Sequence, residues 1–264
     1  MITFNNLGNL GRLANQMFQY ASLKGIATNK GFDFFIPPEE NFGTTDPLVR
    51  DDPLNIHKCF NIGEKVQIGM YPTHMLPERM HTFDRELFDN CPDNIDLFGY
   101  YQSPKYFQHI EDDIRKDFAF TKELNDTCDD VISTLKSDDV ISLHIRRTDY
   151  VSNPNHPLQP LEYYETALQK LPESPVIIFS DDPEWCDKQK IFDDERFATS
   201  YNAPDLDLCL MSKCKYHIIA NSSFSWWGAW LANSEKVFAP KNWFAASCKD
   251  KSVEDMKFGD WNWL

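Results

Sequence analysis

The stretch Val140-Ile141-Ser142-Leu143-His144-Ile145-Arg146-Arg147-Thr148-Asp149-Tyr150 decides how this chain folds. Ile141, Leu143 and Ile145 alternate with Ser142, His144 and Arg146, the period of two that a pleated strand imposes. His144 and Arg146 therefore share one strand face, and two adjacent arginines fall where the strand ends. A second short apolar run, Pro175-Val176-Ile177-Ile178-Phe179, ends in the same way, on Ser180-Asp181-Asp182-Pro183. Between and after these runs the spacing predicts helices over 161–171, 184–191, 205–213 and 223–231, with further strands over 217–220 and 237–239. Strands alternating with helices give an α/β fold, a parallel sheet covered on both faces.

Working back toward residue 1, the same pattern repeats once. Residues 1–4 read as a strand and 5–11 as a turn rich in Gly and Asn. Residues 12–29 read as a helix with Leu13, Met17, Tyr20 and Ala21 on one face. Gly31 stops that helix, and 32–36 is a second strand, ended by Pro37-Pro38. Strand, glycine turn, helix and strand make a βαβ unit. The segment 37–110 is rich in Pro, Asp, Asn and aromatics and lacks periodicity, which predicts loops and short helices. A helix over 122–136 carries Leu124, Cys128, Val131 and Leu135 on one face. A boundary near 137 divides the chain into lobes 1–137 and 138–264, sizes suited to two compact cores.

Bulk composition narrows the function classes. A formal net charge of −15 over 264 residues excludes nucleic acid polymers and anionic membranes as partners. A small anionic ligand needs only a few well-placed cations. The seven cysteines are scattered with no C-x-x-C pair, so they read as reduced thiols, and no zinc site is expected. No basic segment precedes a long apolar run at the start of the chain, and no run approaches the ~18 apolar residues of a membrane span. The expectation is a cytoplasmic protein without stable membrane insertion.

Four segments carry candidate chemistry. Arg146 and Arg147 stand beyond the carboxyl end of a strand, where open α/β sheets bind ligands. Planar, always-charged guanidinium groups there make a diphosphate clamp; the bland alternative is an ion pair with Asp149, with His144 in the core. Asp181 and Asp182, also at a strand end, can accept hydrogen bonds from a sugar hydroxyl, an amide or an arginine, or can cap the helix that follows. Asn221-Ser222-Ser223-Phe224-Ser225-Trp226-Trp227-Gly228-Ala229-Trp230-Leu231 joins a strand end to a helix start. Its serine hydroxyls and backbone N–H groups form an anion site, or simply an N-cap, with the tryptophans in the core. Gly8 and Gly11 allow backbone to approach a ligand, although their spacing is not G-x-G-x-x-G. Asp205-Leu206-Asp207 has the D-x-D form of a metal motif but opens an amphipathic helix, so no metal is assigned to it.

Together, G-R-L-A-N-Q-M-F-Q-Y-A (11–21), H-I-R-R-T-D-Y (144–150), F-S-D-D (179–182) and N-S-S-F-S-W-W-G-A-W-L (221–231) resemble the α-1,2-fucosyltransferase family. The resemblance implies a two-lobed GT-B-like fold with Rossmann-type sheets. The lobe 1–137 would be on the acceptor side and 138–264 would bind the GDP-sugar. It implies L-fucose transfer from GDP-β-L-fucose to the 2-hydroxyl of a galactoside acceptor with inversion, and no cofactor or metal. By the same resemblance Arg146 holds the diphosphate with Arg147 in support. His144 and Asp207 lie at the guanine, Ser222, Ser223 and Phe224 contact phosphate, and Asn15 faces the donor across a cleft. Thr148 and Ala14 stand where many relatives carry Gly. No acid occurs in Val151-Ser152-Asn153-Pro154, where α-1,6 relatives have a base candidate.

The mechanism expected on these residues stabilises the charge that grows on the β-phosphate, through Arg146 and the helix start at Ser222–Ser223. Asp149 is the first candidate for the base and His156 the second; otherwise the leaving phosphate takes the proton. Rival readings are a transferase using another GDP-sugar, a non-catalytic sugar-nucleotide or glycan-binding protein, and a glycosidase with paired carboxylates. Asp181 and Asp182 are sequence neighbours, which disfavours the last.

Overall fold

The computed structural model describes residues 1–43, 54–62, 66–71, 74–248 and 251–264. The chain divides into two compact units, Met1–Thr121 with Asp250–Lys257, and Lys122–Lys249 with Phe258–Leu264.

The first unit runs β1 (Ile2–Thr3), α1 (Leu13–Lys30), β2 (Phe34–Ile36), α2 (Ile56–Cys59), β3 (Gln67–Ile68), β4 (His74–Pro77), α3 (Arg85–Asn90), β5 (Ile95–Phe98) and α4 (Glu111–Asp117). Its strands form one sheet in the order β3-β2-β1-β5-β4, parallel at every pairing. The helix predicted over 12–29 is α1, and Leu13, Met17, Tyr20 and Ala21 are all buried. Its burial goes almost all round, because Gln16, Gln19 and Ser22 are buried as well. Gly31, with φ 67°, ends it in the left-handed region. At Gly25 a Cβ would stand 2.0 Å from the carbonyl oxygen of Tyr106, so only glycine admits that chain so close.

The segment 37–110 departs from its reading as loops and short helices, for it contributes β3, β4 and β5. These strands are short, β3 and β4 lie at the sheet edges, and β5 carries the buried Asp96. Asp96 accepts from Thr3 Oγ1 at 2.9 Å and from the backbone N–H of Asn5 at 2.7 Å. A carboxylate paired inside the sheet breaks the continuous apolar run by which a strand buried on both faces is recognised. Residues 44–53, 63–65 and 72–73 of that segment lie outside the described residues.

The second unit runs α5 (Lys122–Thr134), β6 (Ile141–Ile145), α6 (Leu161–Leu168), β7 (Val176–Ser180), α7 (Pro183–Cys186), β8 (Phe197–Thr199), α8 (Pro204–Lys213), β9 (Tyr216–Ile218), α9 (Ser223–Leu231), β10 (Lys236–Ala239) and β11 (Asn262–Trp263). The sheet order is β11-β10-β9-β6-β7-β8, again parallel. The chain therefore lays strands outward from β6 on one side, then returns to start β9 on the other. The crevice between β6 and β9 is the switch point of this sheet, where ligands sit beyond the carboxyl ends.

The units divide at 121/122, ahead of α5, where the sequence reading put the boundary near 137. The reason is packing: Cys128 of α5 is buried with Sγ 3.9 Å from the carbonyl oxygen of Leu206, and Cys209 of α8 reaches the carbonyl oxygen of Leu124 at 3.7 Å. The helix predicted over 184–191 stops at Cys186, and a 3-10 turn follows at Lys190–Phe192. Strands β8 and β11, unread from the sequence, complete the two edges. All seven cysteines are free thiols. Among the described residues no helix is long and apolar enough to cross a membrane.

The tryptophans of 221–231 belong to the core. Trp226, Trp227 and Trp230 are buried, and Trp226 packs on Phe258 and Trp261. Gly228 lets α9 close on α8, since a Cβ there would meet Met211 Cβ at 2.7 Å.

Candidate active site

Register builds the site. Strands β6 and β7 pair with His144 opposite Phe179 and Ile145 opposite Ser180. Continuing that register past the strand ends brings Arg146-Arg147 against Asp181-Asp182, two cations against two carboxylates. Arg146 Nη1 is 3.2 Å from Asp181 Oδ2, and Arg147 Nε donates to Asp182 Oδ2 at 3.1 Å.

The four side chains differ in role. Asp181 is the anchor of the turn: it accepts from the backbone N–H groups of Arg147 at 2.8 Å and Thr148 at 3.1 Å, and from the Thr148 hydroxyl. Burial opposes its ionisation, but Arg146, Thr148 and the Arg147 N–H outweigh burial and hold its carboxyl below the usual range. Arg147 lies over the ring of Trp185 at 3.8 Å, which with Asp182 fixes it as a support of the loop. Neither aspartate caps α7 with its side chain. Asp182 makes no side-chain cap bond, and its own N–H goes to Ser180 Oγ at 3.0 Å. The capping alternative gives way because both carboxylates have cationic or turn partners.

Arg146 has a second carboxylate partner besides Asp181. Its side chain is 20% exposed, and Nη2 donates to Asp149 Oδ1 at 2.5 Å. Asp149 is 55% exposed and belongs to the 3-10 turn Thr148–Val151. Of the two alternatives in the sequence, the ion pair with Asp149 is present. An anion arriving at Arg146 competes with Asp149, whereas Asp181 is tied in place.

His144 links the halves of the crevice. It is buried, with Nδ1 2.8 Å from Ser225 Oγ in the first turn of α9, and its ring is 5.8 Å from that of Phe224. Burial and the Arg146 charge push its pKa down to about 3, so the imidazole is neutral at physiological pH. Ser222 is the N-cap of α9, accepting from the Phe224 N–H at 3.3 Å. The other first-turn N–H groups and the half-buried Ser223 start the helix beside the end of β9, an arrangement that suits an anion.

Asp207 stands apart from the arginine cluster, in the first turn of α8. It is buried and accepts from Ser200 Oγ at 2.5 Å. Burial raises its pKa to about 7, against hydrogen bonds from Ser200 and Asn202. Its partner in the D-x-D sequence, Asp205, turns back to the N–H of Leu206 at 2.9 Å. Among the described residues no group of three His, Cys, Asp or Glu side chains is placed to hold a metal ion. Asn15 lies in the first unit at the start of α1, where its Oδ1 accepts from Gln102 Nε2 at 2.6 Å. A Cβ on Gly11, whose φ is +78°, would strike Asn15 Nδ2 at 2.3 Å.

Residues that the sequence reading missed complete the crevice. Tyr150 donates its hydroxyl to the carbonyl oxygen of Asn221 at 3.1 Å, and buried Asn221 donates Nδ2 to the carbonyls of Pro157 and Trp243, each at 3.0 Å. Ser225, the third serine of its block, was readable as a site residue only once β6 was seen beside β9. His156, the second base candidate, stacks on Tyr150 at 5.0 Å and leans on Phe244 at 5.7 Å.

Comparisons with known proteins agree with this architecture. The family model described as Glycosyl transferase family 11 matches residues 2–264. The alpha-1,2-colitosyltransferase of Escherichia coli is 33% identical over 264 residues, which covers 89% of this chain and 90% of the relative. Galactoside alpha-(1,2)-fucosyltransferase 2 of Sus scrofa is 26% identical over 248 residues, covering 87% and 70%. Among solved structures, the α-1,6-fucosyltransferase NodZ, known from Bradyrhizobium and solved in crystals soaked with GDP-fucose, superposes with a TM-score of 0.54. It is 13% identical and covers 89% of this chain and 93% of that one, a likeness of fold. With two parallel α/β sheets of the GT-B-like kind and a match along nearly its whole length, the chain belongs to glycosyl transferase family 11.

Proposed function

We propose that the chain moves L-fucose from GDP-β-L-fucose to the 2-hydroxyl of a galactoside-type acceptor, inverting the anomeric carbon and using no metal. The observation that carries this reading is that His144 and Tyr150, flanking Arg146 on the strand end and loop of β6, reach Ser225 and Asn221 at the start of α9, across the switch point of the second sheet. There the guanidinium and helix N–H groups take the diphosphate. As C1 separates from GDP, negative charge grows on the β-phosphate oxygens, and donors already aimed at that place lower the barrier. Asp207 accepts the guanine N–H groups, with neutral His144 beside the nucleotide. Asn15 contributes to donor binding. The acceptor hydroxyl attacks from the face opposite the departing phosphate. Its proton passes to Asp149, once the diphosphate has replaced that carboxylate at Arg146, or to the leaving phosphate itself.

One observation favours a second donor. The relative at 33% identity is an α-1,2-colitosyltransferase, and colitose is L-fucose without its 3-hydroxyl. The experiment that decides is GDP release in EDTA from GDP-fucose and from GDP-colitose, with and without lactose. Acceptor-dependent release from GDP-fucose supports the first reading; release only from GDP-colitose moves the assignment to the 3-deoxy sugar. Loss of turnover in EDTA, restored by a divalent cation, would overturn the metal-free mechanism.

A further inference from the structure

We infer that Tyr150 is a positioning residue that sets the distance between the two halves of the diphosphate site; the inference rests on the reading that Arg146 and the α9 start hold the diphosphate. Tyr150 touches both halves. The guanidinium of Arg146 lies 5.4 Å from the centre of its ring, and its hydroxyl is bonded to the carbonyl of Asn221, the residue before the N-cap Ser222. One side chain therefore spans from the loop leaving β6 to the loop leaving β9, across the switch point.

Its surroundings hold it still. The ring of His156 stacks on it with an interplanar angle of 19°, and His156 in turn meets Phe244. Asn221 is pinned by the carbonyls of Pro157 and Trp243, so the carbonyl that Tyr150 reaches is itself fixed. Burial keeps the phenol protonated, with a pKa near 12, so Tyr150 donates a hydrogen bond and neither gives up nor collects a proton in the reaction. The role matters most when a ligand arrives. Diphosphate draws the Nη2 edge of Arg146 away from Asp149, and the guanidinium is then kept in place by Asp181 on one side and the Tyr150 ring on the other. Without the ring, Arg146 is free to follow Asp149 out of line with the helix start.

The test compares GDP with GMP, which share the guanine contacts and differ in the β-phosphate. Calorimetric affinities are measured at one ionic strength for the unaltered protein and for Tyr150→Phe, Tyr150→Leu and Arg146→Ala. Tyr150→Leu should weaken GDP about five- to ten-fold and leave GMP nearly unchanged. Tyr150→Phe, which keeps the ring and loses the mooring hydroxyl, should recover most of that loss. In turnover, KM for the donor should rise in Tyr150→Leu. Parallel weakening of GDP and GMP, or no change in either, overturns the inference. If Tyr150→Leu does not fold, Tyr150→Phe still decides, since a GDP-to-GMP affinity ratio lowered as far as in Arg146→Ala, or not lowered at all, contradicts a shared role for ring and hydroxyl. Should Arg146→Ala itself leave that ratio unchanged, the underlying diphosphate assignment fails instead.

Discussion

Replacing Asp207 by Asn should make the protein more stable and less able to bind GDP, two opposite effects from one carboxylate. Asp207 is buried with Ser200 and Asn202 as partners and, among the described residues, no cation beside it, and its pKa stands at about 7 against an ordinary 3.8. An acid with a raised pKa stabilises the fold fully only below about pH 3.8. Above that the unfolded chain ionises while the folded one keeps its proton, so stability falls by about 1.4 kcal/mol per pH unit. The loss levels off above about pH 7, where the total is about 4 kcal/mol. Asp207 lies in the first turn of α8, and the helix dipole returns about 0.5–1 kcal/mol of this. Asparagine is nearly isosteric, still accepts from Ser200, and carries no charge. Asp207→Asn should therefore match the unaltered protein near pH 4 and exceed it by about 3 kcal/mol at pH 8.5, or roughly 6–12 °C in Tm. Thermal unfolding across that range measures the gap. Calorimetry measures the cost: a carboxylate accepting two guanine N–H groups makes charge-assisted bonds of about 1.5–3 kcal/mol each, so GDP should bind at least about a hundred-fold more weakly. A stability gap that does not grow with pH refutes the buried-carboxylate argument. Undiminished GDP affinity refutes the guanine contact.

Three further outcomes are expected. Arg146→Ala should lower kcat by about 10²–10³, the loss of one charge-stabilising donor, and a near-normal rate would remove Arg146 from the mechanism. Asp149→Asn should lower kcat by about 10²–10⁴ if Asp149 is the base, with GDP affinity unchanged or tighter because a competing anion has gone; an unchanged kcat removes Asp149 as the base and leaves the proton to His156 or the leaving phosphate. Gly25→Ala should destabilise the first unit by about 1–3 kcal/mol, since its Cβ would overlap the Tyr106 carbonyl, while GDP affinity measured on the folded protein stays the same. Equal stability would show that α1 can move away from that chain.

The legible parts of this chain were those where local pattern and tertiary role coincide. In β6 the alternation of Ile141, Leu143 and Ile145 fixed a strand and put Arg146 at its end. The helix over 223–231 was readable from its serine cap and its apolar body. What escaped depended on partners distant in sequence. Asp96 is a strand residue because Thr3 and Asn5 satisfy it, and neither partner is visible near residue 96. The pairing of Arg146-Arg147 with Asp181-Asp182 follows from the parallel register of two strands, and the two strand ends, I-R-R and S-D-D, carry that complementarity in their sequences. Tyr150 and Asn221 meet only because β6 and β9 are neighbours while the chain between them builds the other side of the sheet. The edge strands β3, β8 and β11 are two or three residues long, too short for any period to show.

The chain's path has a consequence for biosynthesis and for recombination between relatives. Residues 250–257 belong to the first unit, where Asp255 accepts from the Phe83 N–H at 3.0 Å and from Lys105 Nζ at 2.5 Å. On the ribosome, the first unit waits for that segment until nearly all of the second has been made, and β11 is later still. A hybrid spliced once near residue 121 would give a first unit from one parent an Asp255 segment from the other. Exchange of whole lobes within this family therefore calls for three crossovers, at 121/122, 249/250 and 257/258, and a single-crossover library should be enriched in aggregating members.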